Sequence, residues 1–471
     1  KKIYFYILIK KKCLTPQLFN ISLKKLAGFS TNIFKLEPQN STTASPNQII
    51  RFTLPSNALL NLRSFALHFS ATTSSSGAGA KARLPPNISS LIERVEVTAG
   101  GVQLSSGSNY YGTLVAAKRA LMDKQVDPVL GHPEMVRNVS YVDGATFANN
   151  EVYTGTSPVF CVKDWEGFLG SCEPKIFDSS LVPDLVISIT LADTSVLSNS
   201  AGVAIAGTAS TGIDLDGTGT VSYALSNIHA SIECMALSDG VYDNMVSSMI
   251  ASKGFLEIPF KQYYSFQDDH SGQMRWSVAT QSLDRIWVVH RDSEYNLSVA
   301  PRSVAGYKVS GAFTSATSGG SPTLDVGKPQ YDIGGSLDYT KEKLVTSALN
   351  FPEASSSGTN LYQFQLNGAM VPQFRATFEE MYQITMNSLP MKSQNLVSLA
   401  TMKANCAVQC LRLNLPESEH SRLISGLNTR SVSLNGYYNI YNVTGNPTVN
   451  LFAETTATLM VGAGRQISVE M

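Results

Sequence analysis

The chain has little of what most functional classes require. Its apolar N-terminal run, Ile3 to Ile9, is seven residues long, against the about 20 that a membrane-crossing helix needs. Its six cysteines, at 13, 161, 172, 234, 406 and 410, form no CxxC spacing and stand at no metal-ligand distance from histidines. Free thiols in a reducing compartment are the reading for them. There is no excess charge of either sign, with 36 Lys plus Arg against 36 Asp plus Glu, so the chain as a whole lacks the electrostatic footprint of a nucleic-acid binder. Long helical periodicities are scarce. No G-x-S-x-G elbow, HExxH helix or P-loop occurs, and His68, His132, His229 and His420 sit apart, so nucleophilic catalysis has no candidate set.

What is present points to β structure. Apolar residues make up 43% of 471 and charged residues only 15%, which rules out wholesale disorder and leaves room for two cores. The local exception in charge is the N-terminus, where Lys10, Lys11, Lys12, Lys24 and Lys25 all precede the first acid, Glu37. Lys1 to Ile9 reads either as a secretory leader or as upstream translated sequence. Loops rich in Ser, Gly, Thr and Ala at 71–83, 198–220 and 311–322 offer little to bury and are expected to face solvent.

The central observation is that four segments of the first half recur in order in the second. An Arg-aromatic strand, a turn and an aliphatic strand at 49–69 match 274–290, with Arg51-Phe52 against Arg275-Trp276. IERVEVTAGGVQL (92–104) matches LYQFQLNGAMVPQF (361–374), setting Val95 and Val97 against Phe364 and Leu366. Each then reaches a tight turn, Gly100-Gly101 or Asn367-Gly368, where positive φ is cheap. Short amphipathic helices follow, through Tyr111, Leu114, Val115, Leu121 and Met122 and through Phe378, Met381, Tyr382, Met386 and Leu389. The third pairing sets DLVISITLAD (184–193) against CAVQCLRLNL (406–415). The fourth sets the alternating strand from Ile228 to Ala236 against that from Val449 to Val461.

Two antiparallel sheets of about eight strands with Greek-key crossings account for each half, so the expected fold is all-β: two tandem jelly-roll β-sandwiches with a few short helices. The expected division is a basic arm or leader at 1–29, a first jelly-roll at 30–240, a linker at 241–254 with a short helix in VYDNMVSSMIAS, and a second jelly-roll at 255–471. Phe52, Trp276, Val95, Val97, Phe364 and Leu366 are the expected core that defines the repeat.

At this point the sequence resembles the major capsid proteins of the double jelly-roll lineage found in nucleocytoplasmic large DNA viruses, virophages and polinton-like viruses. ERVEVTAGG followed by NYYGTL, WEGFLGSCEPKIFDSSLVPDLVISITLA, and FQLNGAMVP carry the resemblance, which extends from about residue 30 to 471. Acidic and tryptophan residues that follow Gly-Gly in large-virus members are missing here, which favours a virophage-like or polinton-like member. The resemblance implies a structural subunit of an icosahedral double-stranded DNA virus shell, a homotrimer of pseudo-hexagonal outline, residing in the virion after assembly in the infected cell. It further implies neighbouring capsomers, penton and minor capsid proteins as partners. The basic arm would face inward, toward an inner membrane, a minor protein or the genome, without specific nucleic-acid recognition.

No cofactor, metal or catalytic residue is expected. Asp214-Leu215-Asp216-Gly217 resembles the start of a calcium loop, but the twelfth position is Leu225 where a bidentate Glu is required. Asp268, Asp269, His270 and His290 are weighed as a metal cluster and read instead as strand-end polar residues, while Cys406 and Cys410 are read as buried hydrophobes and Trp165, Trp276 and Trp287 as core or interface anchors. The alternative function is a secreted tandem β-sandwich that binds carbohydrate; a jelly-roll hydrolase lacks an evident acid pair.

Overall fold

The strands assemble into two pairs of antiparallel sheets, and the second pair repeats the strand order of the first. This architecture is seen in a computed structural model that describes residues 29–471 apart from 77–81, 84–87, 122–140, 143–145, 148–158, 205–210, 215–219, 238–240, 270–271, 292–359, 391–396, 403–407, 416–423, 431–433, 443–447 and a few single positions. Lys10, Lys11, Lys12, Lys24, Lys25, His132, His270, Cys406, His420 and the expected loop at 311–322 lie outside the described residues. The expected loops at 71–83 and 198–220 are corrected in part, since residues 71–76 continue the strand Leu59–Ser76 with Ala71 buried, and 198–199, 201–204 and 211–214 form short strands.

In the first half the main strands are β1 (Phe29–Leu36), β2 (Ile49–Thr53), β3 (Leu59–Ser76), β4 (Ile92–Ala99), β5 (Val102–Ser105), β6 (Val159–Val162), β7 (Ile176–Asp178), β8 (Leu185–Leu191) and β9 (Thr220–Leu237). Helices α1 (Tyr111–Leu121) and α2 (Phe168–Ser171) interrupt them. One sheet runs β1-β9-β3-β7, with β6 also on β3; the other runs β2-β8-β4-β5. Helix α3 (Val241–Lys253) leads into β10 (Phe255–Asp269), β11 (Gln273–Val278), β12 (Leu283–Arg291), β13 (Leu361–Leu366), β14 (Ala369–Ala376), α4 (Phe378–Ser388), β15 (Val408–Arg412), β16 (Leu434–Tyr441), β17 (Thr448–Gly462) and β18 (Ile467–Glu470). Their sheets run β10-β17-β12-β15, with β18 on β17, and β11-β16-β13-β14. These are two jelly-rolls in tandem.

The repeat extends to individual rows of residues. Across the first four-stranded sheet Phe52 pairs with Ile187 and Ile187 with Val97; the next row is Ile50, Ile189, Val95. Across the second, Trp276 pairs with Gly436 and Gly436 with Leu366, followed by Met274, Tyr438, Phe364. Phe52, Val95, Val97, Trp276, Phe364 and Leu366 are all buried. The larger Trp276 fits because the central strand offers a glycine where the first half has isoleucine. A Cβ on Gly436 would stand 2.2 Å from Trp276 Cε2.

Both hairpin turns use left-handed residues in succession, Gly100 (φ 54°) and Gly101 (φ 83°) in one, Asn367 (φ 49°) and Gly368 (φ 89°) in the other. That geometry matches the twist of the flanking strands. In each the first turn N–H donates 3.1 Å to the strand entering beside it, Gly100 to Asp184 O and Asn367 to Asn435 O.

One expected pairing is corrected. The strand at 184–193 does not correspond to 406–415: β8 is central in the four-stranded sheet, and its counterpart by strand order is β16. β15 instead edges the five-stranded sheet, on β12, as β6 and β7 do on β3. The physical reason lies in burial. β15 is covered on both faces, with Val408, Gln409, Cys410 and Leu411 all buried, while the apolar alternation of β16 is broken by Gly436.

Candidate assembly site: the junction of the two sandwiches

Burial identifies a site no single segment announces. Helix α1 turns Tyr111 and Val115 into the first core and Leu114, Ala117 and Leu121 into the second. None of its described side chains is exposed, and its two basic residues, Lys118 and Arg119, are buried too. The surface it meets is the outer face of the second five-stranded sheet. Register places Tyr263, Glu454 and Arg285 in one row and Ser265, Phe452 and Trp287 in the next. The opposite face meets the other sheet, through Phe266 against Trp276 (6.1 Å between rings) and His290 against the Tyr438 hydroxyl (2.8 Å).

Of the polar side chains around Lys118, Glu454 and Asp284 at the junction, Tyr263 pairs across the halves, with Lys118 and Glu166, and the others pair within their own half. Lys118 Nζ donates to Glu166 (2.5 Å) and to the Tyr263 hydroxyl (2.8 Å), and Tyr263 donates to Glu166 (3.2 Å). Glu454, 2% exposed, accepts from Trp287 Nε1 (2.8 Å) and from Arg285 Nη1 (3.4 Å). Lys261 is bonded to Asp284 and, at 2.9 Å, to Thr456, while Ser282 donates to the other Asp284 oxygen at 2.7 Å. Burial by itself would raise the Glu454 pKa. The surrounding Arg285, Lys118 and Lys261 charges, with the Trp287 hydrogen bond, outweigh it and bring the value from 4.5 to about 2. Burial pushes the Tyr263 hydroxyl well up, with Glu454 and Glu166 adding to it, so Tyr263 stays a neutral donor.

The segment after β6 completes the junction. Trp165 Nε1 donates to Phe65 O (2.8 Å), and the Glu166 N–H donates to the Tyr111 hydroxyl (2.9 Å). Phe168 packs edge-on against Phe260 at 5.0 Å, and Ser171 Oγ accepts from Lys261 N at 2.7 Å. Ile258, Phe260, Ala457, Leu459 and Val461 join the first core. Apolar packing from both halves and the Tyr263 hydrogen bonds to Lys118 and Glu166 hold the two sandwiches together.

The other expected sites fall as follows. All three tryptophans are buried. Cys410 is buried and free, its thiol pushed up to about 12 by burial and by Glu454, against the opposing pull of Arg285. Asp268 and His290 pair with the same residue, Val449, from its two sides, and His290 lies in the core. Among the described residues no group of three His, Cys, Asp or Glu side chains is placed to hold a metal ion. Sequence reasoning missed His68 and His229. The β3–β9 register stacks them at 5.0 Å, with Ser231 Oγ 2.8 Å from His68 Nε2.

No protein-family model matches the chain, and no curated protein matches it in sequence. Solved structures do. The chain is similar to a quasi-atomic model of the PBCV-1 virus capsid, with a TM-score of 0.53 and 12% identity over 94% of this chain and 97% of that one. It is similar also to a chain of the Sputnik virophage, solved by cryo-EM, with a TM-score of 0.51 and 10% identity over 94% and 88%. At such identities the likeness speaks for architecture: this chain has the double jelly-roll fold of those viral structures over nearly its whole length.

Proposed function

We propose that the chain is a structural subunit, the major capsid protein of an icosahedral double-stranded DNA virus, acting as a homotrimer in the virion and catalysing no reaction. The observation that carries this reading is the repetition, in two sandwiches joined by a buried junction, of the strand order of the four-stranded sheets and of their row register. Three such chains place six near-equivalent sandwiches around one axis, a nearly hexagonal tile. Likeness in fold to the PBCV-1 capsid chain supports it. Zero net charge suits close packing of many copies, which would otherwise repel.

On this reading residues 30–240 and 255–471 are the two jelly-rolls and 241–254 joins them. The turns at Gly100-Gly101 and Asn367-Gly368 and the six repeat-defining core residues maintain the equivalence of the two halves. Neighbouring capsomers, penton and minor capsid proteins are the expected partners, and the lysine-rich arm is assigned to an inner membrane, a minor protein or the genome. Light scattering of the purified chain tests the reading: a mass three times 50.8 kDa is expected, and a monomer overturns it.

One observation favours a second reading, carbohydrate binding. On the outer face of β11-β16-β13 exposed Gln273 bonds to buried Asn439 and half-buried Tyr441 to buried Gln363, with exposed Arg375 stacked 4.0 Å over the Tyr441 ring. A monomer retained by immobilised neutral glycans would establish that reading instead.

A further inference from the structure

Two long strands of the first sandwich set the imidazoles of His68 and His229 face to face. β9 pairs with β3 at Ser226–Ser70 and again at His229–His68, an advance of three residues along one strand against two along the other. The extra residue makes a β-bulge, turned by Asn227 at φ 53°, a left-handed angle that asparagine tolerates. Just past the bulge the two rings lie 5.0 Å apart between centroids, with 13° between their planes. Both are half-buried.

The hydrogen bonds define the neutral state. His229 Nδ1 lies 2.9 Å from Asn227 O, and a carbonyl only accepts, so Nδ1 carries the proton and Nε2 is the nitrogen left to take another. His68 Nε2 lies 2.8 Å from Ser231 Oγ, a hydroxyl able to donate or accept. Among the described residues no carboxylate bonds to either ring. On β9 the Glu233 carboxylate accepts from Asn61 Nδ2 (2.7 Å). On β1 Lys35 stands opposite Ser231 and is paired with Glu37 (2.6 Å). On β6 a free thiol, Cys161, stands opposite His68. The flanking β3 residues on the same face, Ala66 and Ser70, carry no charge. Neutral rings stack favourably, whereas two imidazolium ions at this separation repel each other. Burial and the neighbouring His229 both lower the His68 pKa.

We infer that His68 and His229 form an acid-sensitive latch between β3 and β9: as neutral rings they close the bulge, and proton uptake drives them apart and opens the strand pair around Ser226–His229. The sign follows from the direction of the His68 shift. Its contribution is complete above 6.5 and declines as pH falls below that value, because unfolded histidine binds a proton that folded His68 resists. The second sandwich lacks the device, for the outer face of its five-stranded sheet pairs Trp287 with Phe452, rings with no proton to gain. The latch is built into the single chain and does not rest on the shell reading. On that reading it would loosen every subunit of a particle together on entry into an acidic compartment.

Hydrogen exchange of the full chain, followed by mass spectrometry at about pH 7.5 and about pH 5 and corrected for intrinsic rates, tests the latch. The backbone amides of 66–70 and 226–231 are expected to lose protection several-fold at the lower pH. His68→Asn should abolish that loss. His229→Asn, which leaves His68 its burial and removes the like charge beside it, should reduce it. The other histidines are untouched in both variants, so any acid response of theirs persists and is subtracted. Equal protection of these strands in the parent at the two pH values overturns the latch, as does a His68→Asn chain that loses as much as the parent. The first outcome needs no substitution and decides the matter even where a variant fails to fold.

Discussion

Glu454 is the position at which the junction is most open to measurement. Its carboxylate is buried among Arg285, Lys118 and Lys261, and its pKa of about 2 marks a charge held by its surroundings. Glu454→Gln keeps the shape and an acceptor for Trp287 Nε1, removes the charge and sets an amide NH2 in place of the oxygen that accepts from Arg285. Arg285 then stays buried without its carboxylate, which costs about 3–5 kcal/mol by analogy with other broken buried pairs. Lys118 and Lys261 keep Glu166 and Asp284, so the loss belongs to one pair. Arg285→Met added to Glu454→Gln should recover most of it, since replacing both members of a buried pair is often near neutral. Urea unfolding of the two single variants and the double gives the coupling. A Glu454→Gln cost under about 1 kcal/mol, as for a surface pair, or a double variant as unstable as the two single losses added, refutes the reasoning. The acid dependence has a definite sign. The folded pKa is depressed below the ordinary 4.5, so the Glu454 contribution is complete above that value and declines as pH falls toward about 2. The stability gap between parent and Glu454→Gln should narrow over that interval and be constant above it.

Further outcomes follow from other particulars of the fold. Gly436→Ala should destabilise by about 1–3 kcal/mol through overpacking on Trp276, and adding Trp276→Phe, which restores the first-half combination of a smaller ring facing a larger central residue, should relieve it in thermal melts. Gly100→Ala should cost about 1–3 kcal/mol or more, because the position has φ 54° and its Cβ would stand 2.3 Å from Pro183 Cγ; Gly101→Ala, with nothing within 4 Å, should cost less in the same denaturation assay. The His68 pKa is lowered by burial and by His229 beside it, so its contribution to stability is complete above 6.5 and falls as pH drops through the lowered value; His68→Asn should remove that step from a pH series of melting temperatures, and an unchanged step would refute it.

The parts of this structure legible in the sequence are those written locally. Gly100-Gly101 and Asn367-Gly368 announce hairpins because few residues accept consecutive positive φ, and Val95, Val97, Phe364 and Leu366 reveal strands because a half-buried strand alternates. Phe52 and Trp276 could be matched across the halves since each follows an arginine in an otherwise alternating strand. The pairing of 184–193 with 406–415 failed for the same kind of reason: β15 is buried on both faces, as a central strand is, while the true counterpart is disguised by Gly436 and by outward Asn435, Tyr437 and Asn439. The junction was not legible at all. Lys118, Glu166, Tyr263, Arg285 and Glu454 lie far apart along the chain, and nothing around any one of them signals a buried partner. His68 and His229 likewise meet only through the register of two long strands.

Three copies of a twofold-repeated chain build a particle of sixfold-like geometry. Electron microscopy of the purified protein, with averages viewed down the particle's axis, should resolve six lobes of near-equal size related by threefold symmetry. Two-lobed particles, or six-lobed ones without a threefold axis, would contradict it.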